Sequence, residues 1–356
     1  MKTNKMTISK IGIIGSGKMG SDIFNYFLDN DFVLSMICEN ILTAEAFSKS
    51  FEKKLNRKLK NGLIDEKAYL QKKNTTIIAY DFKQLKDCNI VIEAVNEDAS
   101  LKNKIFKQAE KYIDNTTILA TNSSSILPSL IFDGVSKPER CLGLHFFYPI
   151  MFKNLCEVVS SPFTSLEVIK STEQFLEKVN KFHLIQNEEN PFIINRIFLG
   201  IQAEAFNILS EGIYTIEQID LTVKRRIFPI GIFDFIDNVG IDVMLASVNE
   251  YVKYEIDKSK YDNLINILKQ KIAQNQVGKK NGKGFYDYTI QTNIVSIFIE
   301  NESLLSYRLL KAFISHSLQF LNSKDITEQM LDYIVKEYSD ADYGPAELSK
   351  KLIDNI

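Results

Sequence analysis

Through the first half of the chain the apolar residues come in short runs, at 10–14, 33–37, 76–79, 89–94, 117–120 and 141–144. Runs this short, rich in Ile and Val and bounded by Gly, Asn or Asp, predict strands buried on both faces of a parallel sheet. Between them, residues 21–28, 44–59 and 101–109 carry apolar side chains three or four positions apart, the period of a helix with one buried face. Strands alternating with helices predict an α/β domain. From residue 191 onward the period changes: Phe192, Ile193, Ile197, Phe198, Ile201, Ala205, Ile208 and Leu209 recur at helical steps, and Pro229 and Gly231 mark a junction between helices. The pattern divides the chain into an α/β domain over 1–188, a helical domain over 189–290 and a further helical segment over 291–356.

The first strand runs straight into Gly15-Ser16-Gly17-Lys18-Met19-Gly20 and then a helix. In that setting Gly15 permits a tight turn, Gly17 lets a diphosphate approach the backbone, and Gly20 lets helix and strand pack closely. The loop, Lys18 and Met19 included, would meet the phosphates together with the positive end of the helix. A glycine-rich structural turn is the plainer alternative, but the flanking strands and helix favour a dinucleotide. The second strand ends at Cys38-Glu39, where an acid is expected to accept the adenine-ribose hydroxyls. Glu39 reads either as that acid or as a solvent-facing acid at the next helix start. With no Arg or Lys directly after it, NAD is favoured over NADP. The strand at 89–94 opens toward Glu97, either a cofactor-side acid or the cap of the following helix. The strand at 117–120 opens into Thr121-Asn122-Ser123-Ser124-Ser125, which either caps a helix near Pro128 or presents donors to a substrate carbonyl and hydroxyl.

Composition removes several function classes. At 356 residues the chain can bury two cores. A net charge of -2 gives no global attraction to nucleic acid or to an anionic membrane, so phosphates must be held locally. No apolar span long enough for a membrane helix and no signal-like run precede or follow the glycine turn, which predicts a soluble, cytoplasmic protein. The 4 cysteines, Cys38, Cys88, Cys141 and Cys156, lie far apart and read as reduced core residues, with no metal site expected.

Of 3 histidines, His183 and His316 lie in ordinary strand and helix sequence, whereas His145 follows the strand at 141–144. An imidazole titrates near neutral pH and so suits removal of a proton from a secondary alcohol. A structural histidine beside Phe146 and Phe147 is the competing reading. Glu157 interrupts the apolar run Leu155-Cys156-Glu157-Val158-Val159, where a carboxylate is costly to bury unless paired. Paired with His145, it would hold the ring tautomer and stabilise the imidazolium.

In their order these pieces resemble the L-3-hydroxyacyl-CoA dehydrogenase family, which includes 3-hydroxybutyryl-CoA dehydrogenases. The match runs through the Gly15 to Gly20 turn, Glu93 to Glu97, Asn122-Ser123-Ser124-Ser125, His145-Phe146-Phe147, the Glu157 strand, Phe192-Ile193-Ile194-Asn195-Arg196 and the Gly-Lys-rich stretch from Gly278 to Tyr286. The resemblance implies an N-terminal Rossmann-like dinucleotide-binding domain followed by an all-helical C-terminal domain. It implies NAD as cofactor, an acyl-CoA thioester as substrate, and reversible oxidation of an L-3-hydroxyacyl-CoA to a 3-ketoacyl-CoA. Carried over by residue, it makes His145 the acid/base, Glu157 its orienting carboxylate, Ser124 a hydroxyl near the substrate oxygen and Asn195 a substrate-positioning amide. Gly15, Gly17, Lys18, Met19, Gly20, Glu39, Glu97 and Asn122 fall on the cofactor side.

There are departures from the family pattern. Tyr148 stands where members commonly have Asn, Asn190-Pro191 replaces a Pro-Gly, and the second-strand acid falls at Cys38, leaving Glu39 as a displaced substitute. Two alternatives follow: an NAD-dependent dehydrogenase of a free hydroxy acid or sugar acid, and an NAD(H)-binding regulatory protein without efficient chemistry. Gly278 to Tyr288 reads as a structural closing loop. In the tail, Arg308, Thr327-Glu328-Gln329 and Tyr343-Gly344-Pro345 echo Arg196, Glu217-Gln218 and the region of Gly231, implying a degenerate second copy of the helical domain. Leu304, Leu305, Leu309, Leu310, Phe313, Ile314, Leu318 and Phe320 would then cover the first copy, favouring a monomer, with a homodimer as the close alternative.

Overall fold

The computed structural model describes residues 8–290, 297–322 and 326–354. The chain forms two compact units, Met1–Pro191 and Phe192–Ile356.

In the first unit each apolar run is a strand: β1 (Lys10–Ile14), β2 (Val33–Ile37), β3 (Ile77–Ala79), β4 (Ile90–Glu93), β5 (Ile118–Thr121) and β6 (Cys141–Phe146). β7 (Leu155–Ser160) and β8 (Phe182–Asn187) complete one eight-stranded sheet in the order β3-β2-β1-β4-β5-β6-β7-β8. The strands from β3 to β6 are parallel, β7 is antiparallel to β6, and β8 is parallel to β7. The helices are α1 (Lys18–Asp29), α2 (Ile41–Lys60), α3 (Glu66–Thr75), α4 (Ala99–Ala109), α5 (Pro128–Ile131) and α6 (Leu166–Lys178).

Two differences from the sequence expectation bear on the site. α1 starts at Lys18 rather than near residue 21, because the glycine loop itself winds into the first turn, with Gly17 as the N-cap. Gly15 has φ +104, and a Cβ on Gly20 would lie 1.8 Å from the Gly15 carbonyl oxygen, so neither position accepts a side chain. β6 extends through Phe146, which puts His145 inside the strand and in cross-strand register with the next one.

The second unit is helical: α7 (Ile193–Arg196), α8 (Leu199–Ser210), α9 (Ile216–Arg226), α10 (Ile232–Val239), α11 (Ile241–Tyr251), α12 (Asp262–Ala273), α13 (Glu302–Leu318), α14 (Glu328–Ser339) and α15 (Pro345–Asp354). Leu305, Leu309 and Phe313, four residues apart, form the buried stripe of α13, which packs on α8 and α9. The Phe313 ring lies 5.0 Å from Phe228 and 6.1 Å from Phe198. Gly200 makes the close approach possible, since a Cβ there would sit 2.3 Å from the Cβ of His316. Of the apolar tail residues, Leu304 instead faces solvent.

Two carboxylates staple the Gly278 to Tyr288 loop. Asp237 accepts the backbone N–H groups of Phe285 and Tyr286, each at 2.9 Å, and the Tyr288 hydroxyl at 3.1 Å. Asp220 accepts the N–H groups of Phe233 and Asp234 at the start of α10 and the Tyr286 hydroxyl. Burial pushes the carboxyls of Asp220 and Asp237 above the ordinary Asp value, against the pull of these donors. The loop is thus held by its own unit.

Candidate active site

The histidine and its carboxylate meet because one neighbour in the sheet reverses direction. In the antiparallel pair of β6 and β7, His145 is the register partner of Glu157, so residues on consecutive strands stand side by side. His145 Nδ1 lies 2.8 Å from Glu157 Oε2. Glu157 is fully buried, and its other oxygen accepts the Gln186 amide of β8 at 2.8 Å. An unpaired carboxylate so deep would be prohibitive; two hydrogen-bond donors make it tenable. The Phe147 ring packs 4.3 Å from the imidazole. Sequence reasoning missed Gln186, which shares the buried face of the strand Phe182–Asn187 with Leu184.

A second polar cluster lies at the ends of β4 and β5. Glu93, fully buried, accepts Thr121 Oγ1 at 2.7 Å, the Val95 N–H at 2.6 Å and Lys102 Nζ at 2.8 Å. Lys102 also reaches Glu97 at 3.2 Å. Glu97 is not the cap of α4; Asp98 is, through the Leu101 N–H. Glu97 accepts instead from the Ser123 hydroxyl, from the Ser124 and Ser125 N–H groups at 3.0 and 3.2 Å, and from the Ser125 hydroxyl. Burial would raise its carboxyl, but the Lys102 charge and the serine donors outweigh this and hold it below the ordinary Glu value. The serine run consequently wraps a carboxylate and caps no helix: α5 begins at Pro128, and its N-cap, Leu127, makes no side-chain hydrogen bond. Glu93 and Lys102 are further residues missed from sequence. Lys102 lies on the buried stripe of α4 with Phe106 and Ala109, a lysine where an apolar residue belongs.

Asn122 joins the two clusters: its Oδ1 accepts the Phe146 N–H at 2.9 Å, directly after His145. Glu39 is exposed between β2 and α2, whose cap is Asn40. Cys38 is buried at the end of β2, and all four cysteines are free thiols. Among the described residues no cluster of side chains suits a metal ion. In the helical unit Asn195 Nδ2 donates to the Tyr251 hydroxyl at 2.9 Å, and Arg196 pairs with Glu255 at 3.0 Å.

The glycine loop fits a dinucleotide on its geometry. A Cβ on Gly17 would meet nothing within 4 Å, so the groove above the loop is open where a phosphate would approach. The first turn of α1 holds no acid and its N-cap makes no side-chain bond, which leaves the helix end able to receive an anion.

Comparison with known proteins agrees with this layout. Residues 10–189 match the family model described as 3-hydroxyacyl-CoA dehydrogenase, NAD binding domain, and residues 192–288 match 3-hydroxyacyl-CoA dehydrogenase, C-terminal domain. The chain is 31% identical over 289 residues to a 3-hydroxybutyryl-CoA dehydrogenase of Clostridioides difficile, covering 78% of this chain and 99% of that one. It is 32% identical to a probable 3-hydroxybutyryl-CoA dehydrogenase of Bacillus subtilis, covering 81% of this chain and 100% of that one. In fold it resembles the crystal structure of 3-hydroxybutyryl-CoA dehydrogenase from Escherichia coli, with a TM-score of 0.81 at 20% identity, covering 97% of this chain and 92% of the other.

Proposed function

Since the chain belongs to the 3-hydroxyacyl-CoA dehydrogenase family, we propose that the buried His145 and Glu157 pair carries the acid/base half of its reaction. The protein is an NAD-dependent oxidoreductase that interconverts a 3-hydroxyacyl-CoA and the corresponding 3-ketoacyl-CoA. The observation that carries the proposal is the 2.8 Å contact from Nδ1 to Glu157. With Nδ1–H donated to the carboxylate, the ring's lone pair is on Nε2.

In the oxidative direction Nε2 takes the proton of the C3 hydroxyl while the C3–H bond breaks with its electron pair, leaving the C3 carbonyl. The bound nicotinamide supplies the acceptor for that hydride. Glu157 stabilises the imidazolium as it forms, and Gln186 keeps the carboxylate aimed at the ring. In reduction the imidazolium returns the proton to the C3 oxygen. Ser124, on the loop that Glu97 organises, is proposed to donate to that oxygen, and Asn195 to help position the acyl-CoA. Gly15, Gly17, Lys18, Met19 and Gly20 are proposed to hold the diphosphate, Glu39 the adenine ribose, and Glu97 and Asn122 to shape the nicotinamide side.

Loss of absorbance from reduced nicotinamide, with acetoacetyl-CoA as substrate, tests the proposal. His145→Ala should lower kcat by about 10² to 10⁴ fold, the usual contribution of positioned proton transfer. Glu157→Gln should also lower kcat steeply, because an amide can turn its donor toward Nδ1 and favour the wrong tautomer. Unchanged turnover in folded His145→Ala would remove the assignment.

We further propose a cytoplasmic monomer with neither nucleic acid nor membrane as partner. Four unpaired thiols and the tail helix seated on α8 support this reading. Among the described residues no helix is long and apolar enough to cross a membrane.

A further inference from the structure

Tyr148 lies three residues beyond His145, in the turn from β6 to β7, and its side chain is half exposed. That turn is tied to the dinucleotide side of the unit. Asp22 of α1 accepts the Ile150 N–H at 2.6 Å, and Lys181 Nζ donates to the carbonyls of Ile150 and Lys153. On this fixed turn the Tyr148 ring sits 3.9 Å from the ammonium of Lys18, the first residue of α1.

In an open α/β sheet the adenosine half of a dinucleotide lies over β1 and β2, and the nicotinamide half lies toward the strands on the other side of β1. The diphosphate therefore crosses the first turn of α1 on its way toward His145. Lys18 stands at that crossing. An ammonium over an aromatic face keeps its remaining N–H groups for an anion, and a ring that holds it in place beforehand removes part of the entropy lost when a phosphate binds.

We propose that Tyr148 is a positioning residue for the cofactor, its ring holding the Lys18 ammonium over the diphosphate groove. The proposal rests on dinucleotide binding at the Gly15 to Gly20 loop. It gives the departure at this position a role that an asparagine does not supply: an amide offers hydrogen bonds but no aromatic face. Tyr148 acts through Lys18 and takes no part in proton or hydride transfer.

The test is the dissociation constant for NADH, followed by nicotinamide fluorescence, in the full chain. Tyr148→Phe keeps the ring and should bind NADH as the unaltered protein does. Tyr148→Leu and Tyr148→Asn remove it and should weaken binding by about twofold to fivefold, the range for a partly exposed cation–π contact. Turnover should show the same split, with KM for NADH raised and kcat at saturating NADH kept. In a Lys18→Met background, Tyr148→Leu should cost nothing more. Equal binding by the Leu and Phe variants, tighter binding by the Leu variant, or a full additional loss in the Lys18→Met background would each overturn the proposal. Failure of the unaltered chain to bind NADH would instead overturn the reading of the glycine loop, and thermal melts of each variant separate both outcomes from misfolding.

Discussion

A lysine ammonium shut away from water needs its N–H groups and charge compensated, and Lys102 has two carboxylates for this in Glu93 and Glu97. Its own side chain and that of Glu93 are both excluded from solvent. Lys102→Met keeps the length and apolar stem but leaves Glu93 buried without its cation. Breaking a buried pair from one side costs about 3 to 5 kcal/mol. Urea unfolding should show a loss of that order, and a loss below about 1 kcal/mol would contradict a stabilising role for the buried pair. The same substitution removes a charge that holds Glu97 ionised, so the serine loop beside it should also loosen. At this scale the sequence was informative about identity, and among partners it offered only the pairing of Glu157 with His145. His145 and Glu157 stood out as polar residues in apolar runs, whereas Glu97 and the serines left cap and ligand readings open until Asp98 was found to cap α4.

The recurring element of the helical unit is an aspartate on one helix that receives the first N–H groups of the next. Thr215 caps α9, whose Asp220 accepts at the start of α10; Thr327 caps α14, whose Asp332 accepts the Ala346 N–H at the start of α15. Gly231 and Gly344 each make room for their aspartate, which a Cβ would strike. With Arg196 and Arg308, the caps and aspartates keep one constant spacing along the chain, which supports reading the tail as a second, reduced copy of the helical domain. Burial raises the carboxyl of Asp332 as it does that of Asp220. A carboxyl raised in the folded state binds protons that the unfolded chain releases. Its contribution is complete below the ordinary value of 3.8 and is lost as pH rises through the higher folded value. The stability difference between the unaltered protein and Asp220→Asn should therefore shrink as pH is raised from about 4 through the weakly acid range, read from urea midpoints. A difference that grows over that interval would contradict the raised carboxyl.

For the whole molecule the question is what the tail covers. α13 buries Leu305, Leu309 and Phe313 against the first helices of its own unit, and Arg308 pairs with Glu204 at 2.8 Å and with both Glu211 oxygens at 2.7 Å. Removing residues 291–356 would expose Phe198 and Phe228, which Phe313 now contacts. Apolar surface of that kind is covered by a partner or aggregates. Light scattering should find the intact chain monomeric and the truncated one dimeric or aggregated. A stable intact dimer would defeat the self-covering role, and a soluble, fully active truncated monomer would show that the tail covers nothing essential.

Local pattern alone determined the strands from β1 to β6, the glycine turn and the change to helices near residue 191, because strand and helix periods and the need for small residues in a tight turn act over a few neighbouring positions. It also singled out His145 and Glu157, since a buried polar residue violates its surroundings wherever the chain runs. Tertiary structure decided who meets whom. The reversal at β7 set Glu157 beside His145 and brought Gln186 behind it. Packing of α4 on the sheet turned Lys102 inward, between two carboxylates. The turn after β6 carried Tyr148 to Lys18. The energies of these contacts depend on distance and burial, which no local period encodes.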